Sequence, residues 1–339
     1  MDRRKFLAKA SASVVAALLL PVENGMSAPN GSIMTVTGKI PAASMGKTLV
    51  HEHILVDFAG ADRTGYHRWN RDQVQARVLP FLQAAKAAGC QTFVDCTPAF
   101  LGRDPLLLQS LAKATGLQIL TNTGYYGARD LAHLPPHAFT ETAAQLARRW
   151  TQEFEEGIEG TGIRPGFIKI GVNGGKLAAI EKKLVRAAVM THLQTGLVIY
   201  SHTGPAVAAL EQIALVKKEG ADPGAFVWVH AQNEKNLEKH LQAARMGSWV
   251  SLDGLGWASD NYYLLMLKNL KKHGLLHRTL LSHDAGWYQP DKKDGGEYKG
   301  HTRLFRSFVP AMLAEGFTEE DVRQLLVTNP ALLLALQER

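Results

Sequence analysis

Short apolar runs alternate with longer stretches of helical periodicity along most of the chain. The apolar runs are rich in Val, Ile, Leu and Phe, and several are apolar at successive positions, which is typical of strands buried on both faces. Eight runs are found, at residues 49–57, 92–97, 118–123, 167–172, 197–202, 226–230, 249–253 and 279–284. Strict alternation of strand and helix predicts a parallel sheet.

Each predicted strand is followed by a predicted helix. The helices are expected at residues 72–88, 104–114, 140–156, 178–194, 205–218, 234–246, 261–272 and 301–314, with more helix at 319–326. Gly116 and Gly196 stand where helices should end, and Pro80 predicts a kink in the first helix. Eight strand–helix units favour a closed (β/α)8 TIM barrel, and we expect residues 29–339 to form this single domain. No glycine-rich phosphate loop follows the first strand, which argues against a doubly wound nucleotide-binding fold.

The first 28 residues have the features of an export signal. Arg3 and Arg4 precede an apolar stretch at residues 10–21, and Ser27 and Ala28 give it a small-residue end. This order resembles a twin-arginine signal, and the apolar stretch is too short to span a bilayer comfortably. We therefore expect export to the periplasm and no integral membrane span in the mature protein.

Charge and cysteine content bear on two further features, nucleic-acid binding and disulfide bonds. The chain has a formal net charge of +7, but its lysines and arginines are spread along the sequence, so a nucleic-acid-binding surface is not predicted. Cys90 precedes a predicted strand and Cys96 lies near its end, so their Cα atoms would be roughly 20 Å apart, beyond the ~7 Å limit for a disulfide. We expect both to be small core residues.

Polar side chains occupy the ends of several predicted strands. His51 and His53 are two residues apart in an alternating strand, so both imidazoles are expected to face the barrel interior. His202, His230 and Asp284 each end a later strand, and the carboxyl ends of barrel strands form the face that carries active sites. These five side chains are predicted to converge on a metal.

Lys169 is unusual because it stands in the middle of an apolar strand. Burial of an unpaired ammonium is costly, and three solutions exist. The amine can form a Schiff base at a lowered pKa, pair with an acid, or react with carbon dioxide to give a carbamate that bridges two cations. With four histidines and an aspartate on the same rim, we favour the carbamate, since an anionic bridge offsets the charge of two divalent metals.

These motifs, taken in order, resemble those of the phosphotriesterase family of the amidohydrolase superfamily, which includes phosphotriesterases, lactonases and carboxylesterases. The resemblance extends over nearly all of the chain after the signal. Its matching segments are residues 50–53, 102–104, 123–126, 167–171, 201–203, 229–231 and 281–284.

The resemblance implies two divalent metal ions, with Zn²⁺ as the expected metal. The more buried metal would be held by His51, His53 and Asp284. The more exposed one would be held by His202 and His230, and Lys169, as N6-carboxylysine, would bridge the two. A hydroxide between the metals would attack a carbonyl carbon or a phosphorus atom, and Asp284 would take up the proton.

Other positions bear on the substrate. Tyr126 matches the position where lactonases of the family carry a tyrosine and the best-known phosphotriesterase a tryptophan, and with Asp284 and Lys169 it completes the predicted catalytic set. The aspartate and histidine that relay protons in the phosphotriesterase pattern correspond here to Asn233 and Gly254. That relay is therefore absent, and so is the arginine that lactonases often place at the second of these positions.

Aromatic residues follow the last two predicted strands. Trp257, Trp287 and Tyr288 are expected either to line an apolar substrate pocket or to cover the barrel. The loop at residues 286–300, rich in Lys, Asp and Gly, is a candidate specificity lid.

The leading functional hypothesis is hydrolysis of a lactone or carboxylic ester, with a small molecule as the substrate. Phosphotriester hydrolysis is the alternative, and a metal-bound binding barrel without turnover is the alternative from another class. No Gly-x-Ser-x-Gly segment supports a serine hydrolase. We expect no nucleic-acid partner, and a homodimer is compatible with these predictions.

Overall fold

The computed structural model describes residues 30–336, and the predicted export signal lies outside them. An antiparallel hairpin of β1 (Ser32–Thr35) and β2 (Gly38–Pro41) precedes the barrel. Ser32 bridges to Leu336, so the hairpin joins the two ends of the described chain. The sequence pattern missed this hairpin, because two four-residue strands, one of them largely exposed, carry too little periodicity to be distinguished from a loop.

Parallel strands form the barrel in the predicted order. They are β3 (Thr48–Leu55), β4 (Thr92–Asp95), β5 (Gln118–Leu120), β6 (Asn122–Thr123), β7 (Phe167–Gly171), β8 (Ile199–His202), β9 (Phe226–Val229), β10 (Trp249–Leu252), β11 (Thr279–Leu281) and β12 (Gly286–Tyr288). Neighbours pair in parallel from β3 to β5 and from β6 to β11, and only Thr121 separates β5 from β6. β12 continues the chain after β11 and pairs with β3, which closes the ring. The prediction of a (β/α)8 barrel is confirmed.

Helices pack around the strands. They are α1 (Arg71–Ala87), α2 (Pro105–Thr115), α3 (Pro136–Thr140), α4 (Ala143–Glu156), α5 (Ala179–Thr195), α6 (Ala206–Lys218), α7 (Leu237–Arg245), α8 (Asp260–Lys272), α9 (Val309–Ala314), α10 (Glu319–Arg323) and α11 (Asn329–Leu334). Asn70, Asp104 and Thr142 cap α1, α2 and α4 by accepting backbone N–H groups. The cap at Thr142 explains why α4 begins after the predicted start at residue 140. α1 continues through Pro80.

The last two predicted helices are interrupted. Helical structure is found in both regions, at 301–314 and 319–326, but residues Leu304–Phe308 and Gln324–Thr328 are π-helical, which the sequence pattern did not indicate. Each π-helical segment ends two residues before a proline, Pro310 or Pro330. A proline has no N–H to donate to the preceding turn, and a wider turn before it accommodates that loss.

The strands end earlier than their apolar pattern suggested. β9 ends at Val229 and β11 at Leu281, so His230 and Asp284 lie just beyond the strands. Both adopt left-handed backbone conformations, with φ of 62° and 53°. Such φ values are uncommon for residues other than glycine. These backbone turns direct the side chains of His230 and Asp284 towards the barrel mouth.

The two cysteines do not form a disulfide. Cys90 and Cys96 are buried and free, as predicted. Within residues 30–336, no helix has the length and apolar character needed to cross a membrane.

Candidate metal centre

All six predicted ligands lie around one cavity at the carboxyl ends of the strands. The cavity has a volume of about 280 Å³, and we call it the Tyr126 lobe. It is lined by His51, His53, Val56, Phe58, Cys96, Pro98, Leu101, Tyr126, Arg129, Lys169, His202, His230, Asp284 and Trp287. The tertiary structure thus brings together every residue that the sequence predicted for the metal and catalytic sets.

Ring nitrogens, the lysine amine and a carboxylate oxygen converge at the base of this lobe. The Nε2 atom of His51 lies 3.4 Å from Nζ of Lys169 and 3.7 Å from Oδ1 of Asp284. Oδ1 of Asp284 is also 3.2 Å from Nε2 of His53. On the other side, Nε2 of His230 is 2.8 Å from Nδ1 of His202. Potential ligand atoms therefore face one another from five strands.

Asp253 fixes the orientation of two of these imidazoles. Its Oδ2 is 3.1 Å from Nδ1 of His51, and its Oδ1 is 2.8 Å from Nδ1 of His230. The carboxylate is fully buried. One side chain thus holds histidines from both sides of the site with their Nε2 atoms directed into the cavity. The sequence analysis missed this role, although Asp253 ends a predicted strand as His202 and Asp284 do.

His53 is held in the same way by a hydroxyl group. Its Nδ1 is 2.7 Å from Oγ1 of Thr97, which leaves Nε2 facing Asp284. Metal-binding histidines typically engage their second ring nitrogen with an acceptor outside the metal site. His51, His53 and Asp284 present ligand atoms within 4.8 Å of one another, a spacing that can hold a metal ion. The donor set therefore fits a metal centre.

At His51, His202 and both aspartates the electrostatics favour the ionisation states that metal ligands need, whereas Asp253 outweighs burial at His230 and raises its pKa. Burial lowers the pKa of His51 to about 4 and that of His202 well below its usual range, so both imidazoles are neutral at pH 7. Burial would raise the pKa of Asp253 and Asp284, but neighbouring histidines outweigh it and lower both. Neutral imidazoles and ionised carboxylates are the forms that bind divalent cations.

Lys169 is buried without a counter-ion. Its side chain is 2% exposed, and none of the described carboxylates lies within 4.0 Å of its amine. This excludes the ion pair that was one of three sequence-based solutions for a buried lysine, at least among residues 30–336. Gly124, the residue after β6, lies close to the backbone of Lys169. A side chain would not fit there, since a Cβ at Gly124 would lie 2.3 Å from the carbonyl oxygen of Lys169.

Glu52 anchors the turn that carries Asp284. Its Oε1 accepts hydrogen bonds from the backbone N–H of His283 and from Oγ of Ser282, and its Oε2 accepts one from the N–H of Ala285. Nδ1 of His283 is 2.7 Å from the same carboxylate. His283 therefore faces Glu52 and not the cavity that Asp284 lines. Because side chains alternate between the two faces of a strand, Glu52 points away from the barrel interior. From that outer side it holds the turn that carries Asp284.

A second lobe adjoins the first. It also measures about 280 Å³ and shares His202, His230, Asp284 and Trp287 with the Tyr126 lobe. We call it the Trp257 lobe, and its other lining residues are Gln232, Asn233, Gly254, Trp257, Ala258, Tyr262 and Tyr263. Trp257 and Trp287 thus line the pocket, whereas Tyr288 is buried and does not line either lobe.

Gly254 occupies a position where a larger side chain does not fit. A Cβ there would lie 2.6 Å from Nε2 of Gln232 and 2.8 Å from the hydroxyl of Tyr263. Gln232 is itself bound to Asp253 at 3.2 Å. Asn233 and Gly254, the two positions that the sequence matched to the proton relay, therefore contribute an amide side chain and a backbone surface to the wall of the Trp257 lobe.

A parallel barrel with a histidine, lysine and aspartate cluster at the carboxyl ends of its strands is the architecture of a metal-dependent hydrolase. Comparison with known proteins bears this out. The model of the phosphotriesterase family matches residues 31–334, and the chain belongs to that family. As its family indicates, it is a metal-dependent hydrolase.

Individual relatives cover most of the chain. A phosphotriesterase homology protein of Escherichia coli is 31% identical over 292 residues, which are 84% of this chain and 97% of the relative. An aryldialkylphosphatase of Saccharolobus solfataricus is 27% identical over 86% of this chain and 95% of its own length. Among solved structures, a mutant of an organophosphorus hydrolase from Deinococcus radiodurans matches with a TM-score of 0.82 and 29% identity, covering 91% of this chain and 99% of that one.

Proposed function

We propose that this chain hydrolyses a lactone or carboxylic ester at a binuclear centre. His51, His53 and Asp284 would hold one ion, and His202 and His230 the other. Carboxylated Lys169 would bridge them. Zn²⁺ is the expected ion, since imidazole and carboxylate ligands in this number suit it. Bound there, the two cations would lower the pKa of a water molecule and polarise the substrate oxygen.

Asp284 is placed to handle the proton of the attacking water. Its carboxylate lines both lobes, and neighbouring histidines keep it ionised. When water adds to the carbonyl carbon, Asp284 takes up one of its protons. The bond from that carbon to the alcohol oxygen then breaks, the leaving alkoxide takes the proton from Asp284, and the carboxylic acid product releases its own proton. The Trp257 lobe is lined by the exposed Trp257, and through it this proton would reach solvent in place of the missing relay.

The position of Tyr126 beside His202 is the observation that favours an ester or a lactone as the substrate. Its ring packs 5.0 Å from that of His202, and within the described chain its hydroxyl has no hydrogen-bond partner. Burial raises its pKa, so the phenol stays protonated and can donate to an oxygen atom in the cavity. An alkoxide leaving group is strongly basic and gains from such a donor, whereas an aryl oxide leaving a phosphotriester gains little.

Replacement of Tyr126 by phenylalanine is therefore expected to lower kcat/KM for an aliphatic lactone about tenfold, the size of one lost hydrogen bond to developing charge. The loss for an aryl phosphotriester should be smaller. Tyr125→Phe is the matched control, since that hydroxyl bonds to His137 at 2.9 Å and does not line the cavity. Equal losses for the two substrates would contradict a role for Tyr126 as a donor to the leaving group.

Phosphotriester hydrolysis is the second candidate. It is supported by the names of two relatives, the aryldialkylphosphatase and the organophosphorus hydrolase. The Trp257 lobe also offers space for a third substituent on phosphorus beside His202 and His230. The apolar side chains of the Tyr126 lobe suit an alkyl or aryl group of either substrate.

Metal analysis joined to a substrate panel tests the proposal. Purified protein is loaded with Zn²⁺, its metal content is measured, and it is assayed with aliphatic lactones, carboxylic esters and aryl phosphotriesters. We expect two ions per chain and the highest kcat/KM on a lactone or ester. Highest activity on a phosphotriester would select the second candidate. Metal-loaded protein inert towards the whole panel would favour the non-catalytic binding barrel.

Asp253→Asn tests the arrangement of the ligands. An asparagine of the same size cannot accept hydrogen bonds from both His51 and His230 as the carboxylate does, so we expect metal affinity to fall about 10- to 100-fold. Competition with a chromophoric chelator measures this affinity. The exposed Asp72 on α1, changed to asparagine, is the control. Unchanged metal affinity in Asp253→Asn would mean that the other groups orient the imidazoles without it.

We also propose that the protein is exported to the periplasm by a twin-arginine route. The support is Arg3 and Arg4 ahead of the apolar stretch at residues 10–21. An enzyme that acquires its metals in the cytoplasm benefits from a route that transports folded proteins. Replacing both arginines by lysines and following the protein by cell fractionation tests this proposal.

A further inference from the structure

Arg129 stands at the mouth of the Tyr126 lobe. It follows β6 in the chain and lines the same cavity as the proposed ligands. Its guanidinium lies 4.3 Å from the centre of the Phe58 ring, a cation–π contact. Phe58 in turn packs 5.7 Å from the ring of Trp287. These contacts place the guanidinium on an aromatic wall at the entrance of the cavity.

The charge of Arg129 is not neutralised by the protein. Within residues 30–336, no carboxylate lies within ion-pair distance of its guanidinium. Other arginines near this end of the barrel are paired, since Arg68 binds Asp57 at 2.6 Å and Arg71 binds Asp104 at 2.7 Å. Arg129 is therefore an exposed cation that has all its donors available at a cavity entrance.

The backbone holds Arg129 in place at a conformational cost. Arg129, Asp130 and Leu131 have φ values of 54°, 54° and 65°, three successive non-glycine residues in the left-handed region. The backbone N–H of Asp130 donates to Oδ1 of Asn173, and Asn173 is held by Glu181. Strained backbone of this kind persists where the surrounding contacts fix it, often at functional sites.

The cavity wall between Arg129 and the proposed metal ligands is lined by apolar side chains. Val56, Leu101, Phe58 and Trp287 line the lobe, and Tyr126 lines it beside His202. A ligand that fills this lobe would meet a cation at the mouth, apolar walls in the middle and the metal ligands at the base.

We propose that Arg129 selects substrates that carry an anionic group. On the proposed ester or lactone hydrolysis, on which this inference rests, the scissile carbonyl would lie at the metal ligands and an apolar segment would contact Phe58 and Trp287. A carboxylate, sulfonate or phosphate group would then pair with the guanidinium, whose planar fork suits such oxyanions. Arg129 is thus a specificity-determining residue, and the substrate class is an acidic ester or lactone.

Two matched esters test the preference. 4-Nitrophenyl hydrogen adipate ends in a carboxylate, and methyl 4-nitrophenyl adipate has the same chain without the charge. We expect the metal-loaded enzyme to prefer the anionic ester at least about tenfold in kcat/KM, the range of one hydrogen bond to a charged group. Arg129→Gln should lower this ratio about tenfold, and Arg129→Lys should keep part of it. The exposed Arg148 on α4 lies away from the cavity, so Arg148→Gln should leave the ratio unchanged.

A ratio near one in the wild-type enzyme, or one that Arg129→Gln does not change, would overturn the inference. Hydrolysis of neither ester would instead contradict the proposed function. In that case calorimetry still decides the role of Arg129. Benzenesulfonate, a poor metal ligand, should bind the metal-loaded protein more tightly than neutral methyl phenyl sulfone, and Arg129→Gln should weaken the sulfonate about tenfold. Equal affinity of the wild type and Arg129→Gln for benzenesulfonate, or no binding by the wild type, would refute it.

Discussion

Replacement of Lys169 by alanine is expected to remove at least one of two bound metal ions and to lower kcat/KM by about 10²- to 10⁴-fold. The reason is electrostatic. Two cations in a buried site repel each other, and an anionic bridge between them compensates that repulsion. Loss of one partner from a buried set of charges typically costs about 3–5 kcal/mol. Metal content by mass spectrometry and steady-state kinetics measure the two effects.

Lys176→Ala is the matched control, because that lysine is exposed in the loop after β7. A short carboxylate such as propionate, added to Lys169→Ala, should restore part of the metal content and activity by occupying the place of the carbamate. Full metal content and activity in Lys169→Ala would show that the bridge is not formed by this residue. Trapping of substrate on Lys169 by borohydride, with activity that survives chelation, would instead indicate Schiff-base chemistry.

Asp284→Asn is expected to lower kcat about 10²- to 10⁴-fold, the usual contribution of a positioned acid–base group. The amide has the size of the carboxylate and keeps one oxygen for a metal, but it cannot take up a proton from water. Metal content should therefore fall less than activity. Stopped assays with an aryl ester, together with metal analysis of the same sample, separate the two quantities.

The exposed Asp291, in the loop that follows β12, provides the control as Asp291→Asn. Asp284 precedes β12 and Asp291 follows it, so a shared effect would point to a change in that region rather than to proton transfer. Retention of most of the activity in Asp284→Asn would rule out this carboxylate as the proton acceptor and would direct attention to a solvent path through the Trp257 lobe.

Much of the barrel could be predicted from local patterns. A continuous apolar run identifies β9, because a strand buried on both faces has no polar side. Helix caps such as Asp104 add a residue-level start signal. The hairpin of β1 and β2 could not be predicted, since its pairing with Leu336 depends on a residue more than 300 positions away in the chain. The π-helical segments were also missed, because the prolines that accompany them resemble ordinary helix residues in a periodic pattern.

The proposed ligands could be identified for the same local reason. Period two in β3 places His51 and His53 on one face, and Lys169 is conspicuous as an amine in an apolar strand. The groups that orient them were not predictable. Asp253 binds a histidine 202 positions away, and Glu52 binds His283 at a separation of 231. No local pattern distinguishes these carboxylates from others at the ends of strands.

The sequence by itself determined the strand order, the inward-facing histidines and the buried lysine, because each follows from the spacing of residues close together in the chain. Only the tertiary structure decided how Asp253 joins His51 and His230, how Glu52 holds the turn of Asp284, and where the guanidinium of Arg129 stands. These features arise from contacts between distant segments, and closure of the barrel is what brings those segments together.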